Sequence, residues 1–392
     1  MTSVHDVATA SDLPERARAL FPLLDEQAAT GDAQGRLTDD VVEALHRDRF
    51  WGMWVPRPIG GSELDPVSSL EAIEELAYGD PSVAWVVMAA SLATGTGGAY
   101  LGDEAVEELF AGERLPVITG QGTRPGTAVS TDGGYLLSGS WSFASGIKHS
   151  THIHTLAIIE ETGEPRIFVL PIEKATLIDN WDVLGLRATG SIDYTIDSVF
   201  IPEAYTHFAT SEDPKRGGDL YHMGIPGFAA ICHTGWALGV GRRLLDELGA
   251  LARQKACRPG AHAENAGFLE GYEDAEGKFR AARALAFEVW RDAWATLAGG
   301  ERLSVRQNTL IRHAITHVTW AVHEVGSFVY LAGGTTALRS GPIQRIFRDL
   351  HAGTQHMIVS PPVRQTIGRE LAGLADGKVW RFMELVDPAK PS

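Results

Sequence analysis

The chain of 392 residues is poor in cysteine and in positive charge. It has two cysteines, Cys232 and Cys257, and 34 Lys and Arg against 50 Asp and Glu, a formal net charge of −16. Two cysteines without metal-ligand spacing exclude a disulfide scaffold and favour a reducing compartment, and we expect no metal site. A chain with this deficit of cations is not expected to bind nucleic acid.

Long apolar runs and targeting signals are also scarce. We identify no run of about 18 apolar residues, and the stretch Met1 to Asp6 lacks the basic and apolar regions of a signal peptide. We therefore expect a cytoplasmic protein without a membrane partner. Its 44% hydrophobic and 21% charged residues are typical of a globular chain with a sizeable core.

Helix start signals dominate the first part of the chain. Thr38, Asp65 and Asp80 each precede an apolar-periodic run, and Pro66 and Pro81 follow the two aspartates directly. These signals predict an N-terminal α-helical domain over residues 1–112.

The rest of the chain divides into a β-rich part and a helical part. Residues 113–215 carry short alternating runs separated by Gly, Pro and Asp turns, which predict a middle β domain with a barrel or sandwich form. Residues 216–392 return to helical periodicity and predict a four-helix bundle. The predicted long helices are 227–256, 264–298, 302–332 and 342–357. The predicted fold class is α+β.

Two histidines lie in the last of these helices. The segment Arg348–Met357 contains Asp349, His351 and His356. Histidine carries protons near neutral pH, so two of them on one helix can serve a single pocket. They can equally form a polar face or a satisfied pair in the core.

Two β motifs carry candidate binding residues. In Gly139–Gly146, Ser145 and Gly146 follow a strand and offer a hydroxyl and an unobstructed backbone N–H to a planar ligand. Trp141 and Phe143 alternate with a serine and can either wall that ligand or fill the core. An isolated Ser-Gly pair is more often a plain turn.

The second motif, Trp181–Ser191, is bounded by glycines. Arg187, Thr189 and Ser191 are suitable hydrogen-bond donors for a ring edge or a phosphate. The alternative is a surface turn in which Arg187 forms an ion pair.

Helices, a β domain and a long bundle, together with these two motifs, resemble the acyl-CoA dehydrogenase fold superfamily over essentially the whole chain. In form the motifs are closest to the flavin-dependent monooxygenase branch, which includes phenol and steroid-phenol hydroxylases and amino-sugar N-oxygenases. The resemblance implies the oxygenase component of a two-component enzyme that receives FMNH2 or FADH2 from a separate NAD(P)H:flavin reductase. It further implies that O2 reacts through a C4a-hydroperoxide to oxygenate a small aromatic or polycyclic substrate, and that the chain forms a homotetramer.

The resemblance also assigns roles to residues. Ser145 is expected near flavin N5, and Arg258 at a phosphate of a neighbouring subunit's flavin. The Gly333–Gly334 turn is expected to complete a flavin site across a subunit interface. The remaining expected flavin contacts are Trp141, Phe143, Gly146, Arg187, Thr189 and Ser191.

Oxygenation is favoured over dehydrogenation because a carboxylate is missing. Many dehydrogenases of the superfamily carry their base at the position of Met357, and α-proton removal requires such a base. His351 or His356 is then the expected base or peroxide donor. Phenol hydroxylases of the branch often have another histidine on the helix of Trp85, and this chain has none there. A simple phenol is therefore less favoured as the substrate, and an N- or S-oxygenase or a hydroxylase of a polyketide-like polycyclic compound remains an alternative.

Two alternatives remain. One is an acyl-CoA dehydrogenase or oxidase whose base has moved to Glu324. The other is a catalytically silent binding protein with the flavin fold.

Overall fold

The structure, a computed structural model, describes residues 12–256 and 262–388, which form a helical region, a sheet and a second helical region. The first helical region contains α1 (Leu13–Ala19), α2 (Phe21–Gln34), α3 (Asp39–Arg47), α4 (Pro66–Gly79), α5 (Pro81–Tyr100) and α6 (Asp103–Leu109).

The three predicted helix starts are confirmed. Helices α3, α4 and α5 begin directly after Thr38, Asp65 and Asp80. The Asp65 carboxylate accepts hydrogen bonds from two backbone N–H groups of the first turn of α4, at 2.9 and 3.0 Å. Asp80 accepts from the Ser82 N–H at 2.7 Å. Such caps satisfy backbone donors that have no partner inside the helix.

The expectation that no long apolar run exists was wrong for two helices. Pro81–Tyr100 and Asp219–Gln254 are long and apolar enough to span a membrane by length and composition. However, 89% and 83% of their apolar windows lie buried inside the protein. Helices surrounded by other elements need apolar residues on every face, which explains this composition.

The middle region forms one mixed sheet of seven strands in the order β5-β6-β2-β1-β3-β4-β7. Strands β1 and β3 pair in parallel, and the other neighbours pair antiparallel. The strands are β1 (Ile118–Thr131), β2 (Gly134–Trp141), β3 (His152–Ile159), β4 (Pro165–Pro171), β5 (Thr176–Ile178), β6 (Asp193–Pro202) and β7 (Thr206–Phe208).

Long helices then return, as predicted, and the α+β class is confirmed. They are α7 (Gly224–Gln254), α8 (Ala266–Ala298), α9 (Val305–Gly333), the short α10 (Thr335–Leu338), α11 (Pro342–Gly353) and α12 (Pro361–Leu371). A small hairpin, β8 (Val379–Arg381) and β9 (Glu384–Val386), follows them. The domain boundaries at 112 and 215 stay predictions. Both fall between elements, the first between α6 and β1 and the second between β7 and α7.

Candidate active site

Trp85, near the start of α5, lies at the centre of the candidate site. Its indole N–H donates a hydrogen bond to the Ser145 hydroxyl at 3.1 Å. Its ring packs edge-on against three others, with centroid distances of 4.9 Å to His233, 5.0 Å to Trp236 and 5.9 Å to His356. Edge-to-face contacts of this kind stabilise aromatic clusters. We call Trp85, His233, Trp236 and His356 the inner cluster.

A chain of buried hydroxyls joins the two β motifs. The Ser145 Oγ lies 2.7 Å from the Ser191 Oγ, which lies 2.6 Å from the Thr189 Oγ1. The Thr189 hydroxyl donates to the Leu186 carbonyl at 2.7 Å. All three hydroxyl residues are buried. The structure therefore brings together three residues that the sequence predicted as binding residues.

Gly146 holds the turn after Ser145 against helix α5. Its φ of +78° is a backbone conformation that favours glycine. A β-carbon at this position would lie 2.7 Å from the Val86 side chain. The Gly146 N–H donates to the Thr189 carbonyl at 2.9 Å, so it ties the two motifs together and is not free for a ligand.

His233 and His356 form a close imidazole pair, with ring centroids 4.2 Å apart. Nδ1 of His356 accepts from the Ile358 N–H at 3.3 Å, which assigns the ring proton of the neutral form to Nε2. Burial lowers the pKa of His356 to about 4. Burial, followed by the neighbouring His356, lowers the pKa of His233 well below its ordinary value. Both rings are therefore neutral at pH 7.

Asp349 connects the last helical segment to the second motif. It is 1% exposed, and its Oδ1 accepts from the Leu186 N–H at 2.6 Å. Its Oδ2 has no hydrogen-bond partner among the described residues. Burial, and then the negative charge of Asp80, raise the pKa of Asp349 to about 7.

Gly185 allows this connection because the two segments touch through their backbones. A β-carbon on Gly185 would lie 2.1 Å from the Arg348 carbonyl oxygen and 2.6 Å from the Asp349 nitrogen. Arg348 reinforces the joint by donating to the Leu184 carbonyl at 2.8 Å and pairing with Asp32 at 3.0 Å.

The structure separates the two histidines of Arg348–Met357. The predicted helix to residue 357 is wrong at its end, because α11 ends at Gly353. A β-carbon on Gly353 would lie 2.2 Å from the Trp236 ring, so this residue is a point of close approach. His356 then begins a separate short turn that directs it into the inner cluster.

His351 belongs to a second aromatic group on the bundle. Its ring centroid lies 4.1 Å from that of Phe347 and 4.9 Å from that of His323, and Phe347 stacks on Tyr330 at 4.2 Å. Nδ1 of His351 hydrogen-bonds the Phe347 carbonyl at 2.8 Å. We call Tyr330, Phe347, His323 and His351 the outer cluster.

Trp141 and Phe143 have opposite environments. Trp141 is fully buried, stacks on Tyr194 at a centroid distance of 5.3 Å and donates to the Leu156 carbonyl at 3.0 Å. As placed, it fills the sheet core and has no surface left for a cofactor. Phe143 is 67% exposed and lies 6.1 Å from Trp181, so it is available to a planar ligand.

Arg187 is engaged with the protein backbone. Its Nε donates to the Asp32 carbonyl and its Nη1 to the Val183 carbonyl, both at 3.2 Å. A weaker contact of 3.9 Å joins it to Asp182. These bonds favour a structural role over direct cofactor binding.

The Gly333–Gly334 turn, another predicted flavin contact, lies at one end of the bundle. Gly333 is the last residue of α9, and Gly334 begins the turn to α10, which packs on α9 and α11. Arg258 lies outside the described residues.

Sequence reasoning gave no specific role to His233. Its contact with His356 joins α7 to a turn more than a hundred residues later in the chain. A histidine inside the apolar run of α7 is the signal that could have selected it, because a buried polar side chain needs an explanation.

The two positions relevant to a dehydrogenase base are both exposed. Glu324 is 63% exposed at its side chain and pairs with Lys278 at 3.1 Å. Met357, at the usual position of that base, is 42% exposed. Neither provides a carboxylate beside Ser145.

The site therefore combines hydrogen-bonding hydroxyls with neutral imidazoles and apolar walls. Phe143, two residues before Ser145, is 67% exposed, and Leu184 of the second motif is 65% exposed, so each motif leaves apolar surface open to a planar ring. The described residues include no cluster of histidine, cysteine and carboxylate suited to a metal ion. A flavin fits this apolar surface and the Ser145 hydroxyl at its edge.

Two protein-family models match the helical parts of the chain. The acyl-CoA dehydrogenase N-terminal domain matches residues 18–111, and the acyl-CoA dehydrogenase C-terminal domain matches residues 231–361. The chain belongs to the acyl-CoA dehydrogenase superfamily.

Similar proteins show to which class of enzyme within this superfamily the chain belongs. The chain is 29% identical to an indole-3-acetate monooxygenase of Acinetobacter baumannii, over 91% of this chain and 93% of that protein. It is 28% identical to the flavin-dependent monooxygenase oxygenase subunit HsaA of Mycobacterium tuberculosis, over 96% and 99%. The crystal structure of 3-HSA hydroxylase from Rhodococcus sp. RHA1 is similar in fold, with a TM-score of 0.86, 24% identity and coverage of 95% and 98%. Within the superfamily, the chain is a flavin-dependent monooxygenase.

Proposed function

We propose that this monooxygenase oxygenates a small aromatic substrate beside the inner cluster, as the oxygenase component served by a separate flavin reductase. The observation that carries the proposal is the convergence of Ser145, Trp85 and His356, from three distant parts of the chain, on one buried site. When bound, reduced flavin, as FMNH2 or FADH2, activates O2 and supplies the oxygen atom that is transferred.

The β motifs would hold the flavin. Ser145 offers its hydroxyl at the edge of the site, and Ser191 and Thr189 fix the position of that hydroxyl. Phe143 offers an exposed ring for apolar contact. Buried hydroxyl positions that are fixed by neighbours bind a ligand without the cost of ordering flexible side chains.

The imidazole pair would handle the substrate proton. His356 presents its Nε2–H as a donor, since its Nδ1 is occupied by the Ile358 N–H. His233 has no side-chain hydrogen bond among the described residues and is free to accept a proton from an O–H or N–H group. A depressed pKa keeps each ring neutral, which a proton acceptor requires.

Indoles and phenols are the substrates that this arrangement supports best. The similar protein of Acinetobacter baumannii is named for indole-3-acetate. His233 comes from α7 and packs on Trp85, so an imidazole reaches the inner cluster although helix α5 itself contains no histidine. The large rings of Trp85 and Trp236 exclude water from this region, which would slow the unproductive loss of activated oxygen as hydrogen peroxide.

A dehydrogenase function has less support. Glu324 is bound to Lys278 at the surface of the bundle, and Met357 cannot remove a proton. The inner cluster contains neutral imidazoles where α-proton removal would need a carboxylate.

We also propose that the protein is a homotetramer. The C-terminal region exposes Leu331, Leu338 and Leu269, which are 78%, 66% and 51% exposed. Leu331 and Leu338 flank the Gly333–Gly334 turn. Exposed leucines concentrated in one region favour contact with another chain. Sedimentation velocity should give the mass of four chains, and a monomer at micromolar concentration would contradict this proposal.

To test this function, the purified protein is mixed with reduced flavin, O2 and either a phenol or an indole. We expect oxygenated product only when reduced flavin is present, with one oxygen atom derived from labelled O2. Glu324→Gln is the matched control and should keep full activity. Anaerobic reduction of bound oxidised flavin by an acyl-CoA thioester, abolished by Glu324→Gln, would contradict the proposal and support the dehydrogenase.

A further inference from the structure

The hydroxyl chain of Ser145, Ser191 and Thr189 has a direction. A carbonyl oxygen can only accept, so the short contact between Thr189 Oγ1 and the Leu186 carbonyl uses the single hydroxyl hydrogen of Thr189. The 2.6 Å contact to Ser191 is then donated by Ser191. The 2.7 Å contact between Ser191 and Ser145 must in turn be donated by Ser145.

Trp85 reinforces this direction at the other end. An indole N–H can only donate, so Ser145 Oγ accepts from Trp85 at 3.1 Å. The hydrogen of Ser145 is directed at Ser191, and one of its two acceptor positions is taken by Trp85. The Ser145 hydroxyl therefore offers a ligand one acceptor lone pair and no hydrogen.

The opposite direction leaves one group unsatisfied. If Thr189 donated to Ser191 and Ser191 to Ser145, the Ser145 hydrogen would need an acceptor outside the chain. The Leu186 carbonyl would also lose its shortest contact, although it keeps the N–H donors of Thr189 at 3.1 Å and of Trp181 at 3.2 Å. In a buried site, the direction in which every hydroxyl hydrogen has an acceptor is favoured.

We propose that Thr189 and Ser191 are positioning residues that make Ser145 an acceptor and thereby select the reduced state of the flavin. This inference rests on the proposed function, in which the flavin binds with N5 at Ser145. N5 of reduced flavin carries a hydrogen and donates, whereas N5 of oxidised flavin is only an acceptor. Reduced flavin therefore meets the free lone pair of Ser145 directly.

Oxidised flavin would have to reverse three hydroxyls and give up the bond between Thr189 and Leu186. The loss is that of one neutral hydrogen bond, which corresponds to roughly three- to tenfold in relative affinity. An oxygenase that receives its flavin reduced and releases it oxidised benefits from such a preference, because the spent cofactor leaves and the fresh one replaces it.

The test compares dissociation constants for oxidised FMN and for anaerobically reduced FMN in three proteins. Thr189→Val removes the terminal hydroxyl, and Thr189→Ser is the matched control that keeps it. We expect the preference for reduced FMN to fall roughly three- to tenfold in the valine variant and to persist in the serine variant. The reduction potential of bound FMN should become more negative in the valine variant, because relative affinity and potential are linked.

Ser191→Ala provides a second variant if Thr189→Val does not fold. It leaves the Ser145 hydrogen without an acceptor in the chain, so the preference should fall in the same direction. An unchanged ratio of the two dissociation constants in a folded Thr189→Val or Ser191→Ala protein would overturn the inference alone. Failure of the wild-type protein to bind FMN in either state would instead contradict the proposed function on which the inference rests.

Discussion

The inner and outer clusters contain the same kinds of side chain in very different settings. Each combines two histidines with two larger aromatic rings, and each takes one histidine from the segment Arg348–Met357. The inner cluster is tied to Ser145 through the Trp85 N–H, whereas His351 of the outer cluster is held by a carbonyl of its own helix. The kinds of residue in an aromatic cluster therefore do not show whether the cluster belongs to a functional site or only to the packed core. The hydrogen bonds at the edge of the cluster make this distinction.

The joint between α11 and the second motif holds the inner cluster in place. The Leu186 carbonyl accepts a hydrogen bond from Thr189, the last hydroxyl of the chain that begins at Ser145. The Leu186 N–H donates a hydrogen bond to Asp349 of α11. The outer cluster has no corresponding joint to the sheet among the described residues. Changes at this joint are therefore expected to disturb the inner cluster.

The largest expected effect on flavin binding is that of Gly185→Ala. The added β-carbon would meet the backbone of Arg348 and Asp349 at 2.1 to 2.6 Å, and backbone cannot retreat as a flexible side chain can. We expect a loss of roughly 3 kcal/mol in the free energy of unfolding, together with loss of flavin binding. Denaturant titration measures the first and fluorescence titration with FMN the second.

Gly368→Ala is the matched control for this substitution. Gly368 lies in α12, and a β-carbon there meets nothing within 4 Å. Alanine should stabilise this helix by up to about 1 kcal/mol. If Gly185→Ala were as stable as Gly368→Ala, the proposed close joint would be wrong.

A pH-dependent effect on stability is expected for Asp349→Asn. Asparagine keeps an oxygen for the Leu186 N–H and removes the buried ionisable group. Because burial raises the pKa of Asp349 to about 7, its contribution to stability is fully present below pH 3.8, its ordinary pKa, and is lost as the pH rises through 7.

The stability of the wild type relative to Asp349→Asn should therefore fall between pH 4 and 7, by up to about 1.4 kcal/mol per pH unit. Denaturant titrations of both proteins across this range give the difference directly. A difference that is constant with pH would show that Asp349 does not titrate in this window.

Much of the fold was predictable because its signals are local. Helix starts at Thr38, Asp65 and Asp80 are set by capping residues and prolines within a few positions, and the long helices by their periodicity. The meeting of Ser145 with Ser191 was predicted only through the resemblance, because the two lie on separate motifs.

The choice between His351 and His356 was not predictable from their spacing. That spacing assumes one continuous helix, whereas α11 ends at Gly353, where Trp236 packs too closely for a side chain. The position of His233 beside His356 depends on how α7 packs, which is a long-range contact. The burial of Trp141 was likewise not predictable. Alternation along a strand shows which side chains share a face of the sheet, but it does not show whether that face packs in the core or meets a ligand.

We infer that His356, and not His351, takes part in oxygenation. The most direct measurement is the amount of product formed per flavin oxidised, with hydrogen peroxide release measured in parallel, for His356→Ala and His351→Ala. We expect His356→Ala to lower this coupling roughly tenfold or more and to raise peroxide release, and His351→Ala to resemble the wild type. Equal losses in the two variants, or a loss only in His351→Ala, would contradict the account.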